Sequence, residues 1–214
     1  MLFLIQFYIL YVKGRTNDDK EQNLYFKIQS IGVKSIPIFR KAFPNTPWIF
    51  VYRDPVQVMR SHLKTPSTTY SVCLRRQHSP SKDIIDLVKR IGNQDDISML
   101  NKEEFCAAHL ASLCEVALKE VKDSNGVGRV VNYNNLITTL IEDVIPKHFL
   151  GISSLSDEAK MNILKASESY SKGRGDGRIW TEDSQFKEDT AWTEMKDASA
   201  LYLEPSYIEL EKLN

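Results

Sequence analysis

Apolar positions fall into two kinds of run along this chain: short unbroken blocks, and longer stretches in which they recur near helical period. Trp48-Ile49-Phe50-Val51-Tyr52 is the clearest block, and it predicts a strand buried on both faces. Arg53-Asp54-Pro55 stops that strand and starts a helix, with Asp54 as N-cap, Pro55 at the first helical position, and Val56, Val58, Met59 and Leu63 following. Upstream, Leu24 to Ile28 reads as a short strand, Ser35 to Ala42 as a helix capped by Ser35, and Phe43 to Pro47 as a proline-bracketed turn. Downstream, Thr65 to Pro80 is polar and reads as a long surface loop, and Asp83 to Ile91 and Lys102 to Lys122 read as helices. Asn125 to Gly128 breaks the second of these, and Arg129 to Tyr133 is another strand. Helices are expected over Asn135 to Ile145, ending near Pro146, and from a Ser156 cap through Ala166. Ala191 to Leu213 is a C-terminal amphipathic helix with an interruption expected near Pro205. Strands alternating with helices give an α/β fold with a mostly parallel sheet.

The first residues depart from this pattern. Met1 to Val12, MLFLIQFYILYV, is an apolar run of 12, short of the roughly 20 that span a bilayer. It has neither the positive n-region nor the cleavage site of a signal peptide. A buried strand, a weak membrane anchor and a stretch foreign to the domain all remain open, with aromatic and β-branched content favouring the strand. The domain division is therefore 1–23 as an atypical N-terminal segment and 24–214 as the main domain. The chain has 214 residues, enough for one sizeable core, and its 28 basic and 28 acidic residues cancel. With no net field to steer it toward nucleic acid or an anionic membrane, any anion site must be local. Cys73, Cys106 and Cys114 are odd in number and lack CxxC spacing, which argues for reduced thiols in helices rather than a disulfide or zinc site. That usage, with no credible signal peptide, gives a cytoplasmic expectation.

Candidate chemistry concentrates in YRDPVQVMRS. Arg53 leaves the C-terminal end of a buried strand, where open parallel sheets bind ligands. Ser61 lies about two helical turns further on. A guanidinium fork matches phosphate oxygens, and a serine hydroxyl adds a neutral donor. The competing role is structural: a strand-end arginine paired with Asp54 or another acid, and a serine that is merely helical. Ser171 to Gly177, SKGRGDG, is a glycine-rich basic loop.

FVYRDPVQVMRS resembles the 3′-phosphate-binding segment of sulfotransferases that use 3′-phosphoadenosine 5′-phosphosulfate (PAPS), with Arg53, Pro55 and Ser61 in that family's register. LYFKIQS is similar to the preceding strand, VVNYNNL to the later one, and SESYSKGRG to the late loop that closes over the 3′-phosphate. The resemblance runs from about Leu24 to the C-terminus, and the bacterial-type sulfotransferase domain is its nearest counterpart. It implies a P-loop NTPase-like three-layer sandwich and transfer of a sulfuryl group from PAPS to a hydroxyl or amine of a small-molecule or glycan acceptor. It further implies that Arg53, Ser61, Lys172, Gly173 and Arg174 bind the nucleotide's 3′-phosphate, that Lys27 lies near the transferred group as the catalytic cation, and that no metal is needed.

Three departures stand beside it. No PxSGTT-type or GxxxxGK[ST] loop occurs in the sequence, so the backbone cradle for a 5′-phosphosulfate at a helix N-terminus is not encoded here. Gln29 occupies the position of the cytosolic enzymes' histidine base, leaving His62 as a candidate base, with His109 and His148 as ordinary helix residues. Ser171 replaces the arginine of the late loop. The expectation is a sulfotransferase by descent, N-terminally truncated and weak or inactive as it stands. The alternative is a non-catalytic nucleotide-binding remnant or a gene-model fragment. Acceptor and oligomeric state are not legible.

Overall fold

A computed structural model describes residues 25–93, 95–168 and 182–214. Helices dominate, around a parallel pair of strands, so the fold is mixed α/β. Strand β1 (Trp48–Tyr52) and strand β2 (Gly128–Asn132) run in register from Trp48 opposite Gly128 to Tyr52 opposite Asn132. Glycine is required at 128, because a Cβ there would meet the Trp48 indole at 2.2 Å. Parallel strands need a long crossover, and here it is wholly helical. It comprises α2 (Pro55–His62), α3 (Lys82–Gly92) and α4 (Lys102–Lys122), following α1 (Ile36–Ala42) ahead of β1.

The first strand expected from the sequence does not form. Tyr25 to Gln29 pair with no strand, and Tyr25, Phe26 and Ile28 are exposed, with Tyr25 resting its ring 5.5 Å from that of Phe149; Leu24 lies outside the described residues. Ser35 likewise precedes α1 as expected but makes no side-chain cap. It closes a 3₁₀ turn over Ser30–Ser35 in a helical conformation rather than the extended one that caps require.

The core forms around α4, which begins with a reciprocal cap between Asn101 and Glu104 and is enclosed on nearly every side. Its Phe105, Ala108 and Ala111 pack with Met59 and Leu63 of α2, Ile84 and Val88 of α3, and Met195 and Tyr202 near the C-terminus. The expected reduced thiols are corrected here: Cys73 and Cys106 form a disulfide across a Cα separation of 5.0 Å, and Cys114 is the free cysteine. A 3₁₀ turn at Val72–Leu74 directs Cys73 and Leu74 into the core, so the 65–80 segment is not a surface loop throughout. Sequence spacing could not reveal this pair, because tertiary packing brings together residues 33 apart.

After β2, helix α5 (Leu136–Thr139) continues as a π-helix through Leu140–Leu150. Pro146 thus lies inside the helix rather than at its end, and Gly151, at φ 66°, terminates it. Helices α6 (Asp157–Ser167) and α7 (Ser184–Asp189) follow. The C-terminal helix is α8 (Thr193–Ala198), a π-helical turn at Ser199–Leu203, and α9 (Glu204–Glu211), with Pro205 in the first turn of α9. The wide turn accommodates the missing proline N–H, as the expected interruption requires. Asn132 ties α9 to the end of β2 by donating to Glu211 at 2.6 Å.

Candidate functional site

Arg53 emerges where β1 ends, with Tyr52 buried beneath it. Asp54 caps α2 by accepting the Gln57 amide at 2.9 Å, and Pro55 takes the first helical position. Because Asp54 is committed to the cap, it is not the partner of Arg53. The guanidinium donates from Nε to Gln57 Oε1 at 2.6 Å, and from Nη2 to Asp183 Oδ1 at 3.1 Å and Ser184 Oγ at 2.8 Å. Its central carbon lies 4.6 Å from the centre of the Tyr133 ring, on the segment that follows β2. Two bonds, a stack and an ion pair hold the fork, leaving its side chain 16% exposed.

Gln57 and Ser61, four residues apart, share one face of α2, and Arg53, two residues ahead of that helix, reaches Gln57 with its guanidinium. Gln57 is buried and donates from Nε2 to Glu188 Oε1 at 2.5 Å. Ser61 is exposed and returns its hydroxyl to the Gln57 carbonyl at 2.9 Å. Helix α7 packs along this face, supported by Arg60 donating to Thr190 at 3.1 Å. Burial works to raise the Asp183 carboxyl, but hydrogen bonds from Lys187 and Arg53 outweigh it and hold the group below the usual carboxylate range.

Arg53 thus lies ahead of α2 and Ser61 within it, and each bonds Gln57, Arg53 at the side-chain amide and Ser61 at the carbonyl. Lys27 is exposed outside any strand, and makes no hydrogen bond or ion pair with another described residue. Lys172, Gly173 and Arg174 lie outside the described residues. Gln29 is exposed, and its carbonyl closes the 3₁₀ turn by accepting the Gly32 amide at 2.7 Å. His62 is half-buried, with Nδ1 3.3 Å from Ser71 Oγ. His109 and His148 lie on helices as expected. Gln57, Tyr133, Asp183, Ser184 and Glu188 escaped the sequence reading. Only Gln57 carried a signal there, its spacing of four from Arg53; the others arrive through tertiary packing.

Clefts of about 190 and 120 Å³ open on the described surface. The smaller adjoins the start of α2, between Asp54, Lys196, Glu204 and Tyr207. Both fall below the roughly 300–1,000 Å³ of typical small-molecule pockets. Among the described residues no cluster of histidine, cysteine and acidic side chains is arranged to hold a metal ion, and no helix is long and apolar enough to cross a membrane. No protein-family model matches the chain, and searches of curated proteins and of solved structures return no match.

Proposed function

We propose that the chain is a PAPS-dependent sulfotransferase by descent, that Arg53 and Ser61 receive a nucleotide's 3′-phosphate, and that its own turnover is weak or nil. The observation that carries this reading is the position of Arg53: a guanidinium at the C-terminal end of a parallel strand, on the turn into a capped helix. Lys172, Gly173 and Arg174 would complete the phosphate shell, and Lys27 would supply a cation near the sulfuryl group. In the transfer, the bond from sulfur to the 5′-phosphate oxygen breaks as one to the acceptor oxygen or nitrogen forms, and the acceptor proton leaves to a base. That chemistry depends on preorganised donors at the leaving phosphate, and the sequence encodes no loop to provide them. The parent fold proposed is the P-loop NTPase-like three-layer sandwich. The cytoplasmic expectation rested on reduced cysteines, and the Cys73–Cys106 bond instead favours an oxidising compartment.

The Arg53–Asp183 ion pair favours a second reading, in which Arg53 is a structural tie between β1 and α7. Calorimetry separates the two. Adenosine 3′,5′-bisphosphate should bind more tightly than the equally charged 2′,5′-isomer, and Arg53→Ala should remove that preference, about 1.5–3 kcal/mol for a charge-assisted hydrogen bond. Equal affinity for both isomers would sink the 3′-phosphate reading.

A further inference from the structure

The Arg53 guanidinium already holds an anion belonging to the chain itself. We infer that the Asp183 carboxylate is an internal counter-ligand, which a phosphate or sulfate group must displace from Arg53 in order to bind. This rests on the proposed reading of Arg53 as an anion site, and adds to it a built-in competitor.

The contacts divide into those that hold the arginine and those that occupy it. Gln57 accepts from Nε, and its own Nε2 is fixed by Glu188, so the amide oxygen stays aimed at the guanidinium. Tyr133 stacks on the planar face. Neither contact requires Asp183. Nη2, by contrast, is spent on Asp183 and Ser184, while Nη1 has no hydrogen-bond partner among the described residues. An incoming oxyanion that bridges both terminal nitrogens must therefore compete with Asp183 and Ser184 for Nη2, and Asp183 is the one that also carries charge.

The carboxylate has somewhere to go. Lys187, one turn along α7, donates to Asp183 Oδ1 at 2.8 Å and reaches Oδ2 at the same distance. Asp183 losing Arg53 thus keeps a cation and is not stranded. Its side chain is 48% exposed, so the pair it forms with Arg53 is solvent-screened and weak enough for a doubly charged phosphate to win. A fully buried pair would lock Arg53 permanently.

The test is calorimetry on the full chain with sodium sulfate and with the 3′,5′- and 2′,5′-bisphosphates of adenosine. Asp183→Asn and Asp183→Ala should each tighten sulfate and 3′,5′-bisphosphate binding about three- to tenfold, and adding Arg53→Ala should abolish the gain. Two variants guard against misfolding of either, checked by thermal melting. Asp189→Asn removes the same charge from α7 without touching Arg53, and should change affinity less than about twofold. Unchanged or weaker anion binding in both Asp183 variants, or an equal gain in Asp189→Asn, overturns the competition. A gain for sulfate without preference for the 3′,5′-isomer sinks the nucleotide reading and leaves the competition standing. No Arg53-dependent binding of any anion by any form overturns both.

Discussion

Removing the Cys73–Cys106 bond should destabilise the protein substantially. The bond closes a loop of 33 residues between the turn at Val72–Leu74 and the second turn of the core helix α4. In the chain-entropy account a crosslink of that span restricts the unfolded ensemble by about 12.5 cal/mol/K, or roughly 3.7 kcal/mol at 25 °C. For a chain of this size that corresponds to a fall in Tm of about 7–15 °C. Both cysteines are fully buried, so Cys73→Ala with Cys106→Ala adds a modest cost for lost sulfur packing. The cleaner comparison is one sequence in two states, unfolded in urea with and without a reductant that keeps the thiols reduced. Thiol titration of the denatured, unreduced protein should return one thiol, that of Cys114. Three thiols, or coincident unfolding curves for the two states, would refute the crosslink.

Two further outcomes follow from buried charge. Burial, then the charge of the neighbouring Lys34, pushes the His109 imidazole down to about 4 from an ordinary 6.5. The folded chain then keeps His109 neutral while the unfolded chain takes up a proton. Stability from this group is complete above pH 6.5 and declines as pH falls toward 4, by roughly 3 kcal/mol in total. His109→Gln should flatten that part of the urea-midpoint profile, and an unchanged slope would count against it. Glu120 is buried and paired with Arg40. Arg40→Met should cost roughly 2–4 kcal/mol in chemical denaturation by leaving the buried carboxylate only its longer contact with Lys119, and Arg40→Met with Glu120→Gln should recover part of the loss.

The elements with strong local signals were legible. Trp48–Tyr52 is a strand as its apolar run predicts, although it is not buried on both faces, since only Tyr52 is buried and Val51 is exposed; Asp54 caps the helix that Pro55 opens, and α4 spans the expected Lys102–Lys122. Each is decided by neighbours in sequence. Tyr25–Ile28 shows the limit: its composition suits a strand, but a strand exists only where another edge accepts its hydrogen bonds. The disulfide and the Asp183 contact failed to appear for the same reason. Cys73 meets Cys106, and Arg53 meets a residue 130 positions later, because helices pack, and no motif encodes that meeting. Ser61 was legible in place and not in partner: it lies in the helix as expected, but its hydroxyl turns back to the Gln57 carbonyl.

These contacts change what recognition by this chain would have to be. Basic and acidic residues balance at 28 each, so long-range attraction offers an incoming anion little. The arginine at the strand end is not a bare charge awaiting a ligand either, since Gln57, Asp183, Ser184 and Tyr133 surround it. On the proposed reading, binding there would be an exchange, in which one anion contact is made as another is given up. The free energy of exchange is a difference between two similar terms and is smaller than either. Selectivity then comes from what an external phosphate has and a carboxylate lacks: a second negative charge and a third terminal oxygen. Such an anion would outcompete Asp183 where a simple carboxylate would not. The same arginine can therefore tie β1 to α7 in the free chain and serve a phosphate in the bound one, and the two readings of Arg53 become successive states of one site.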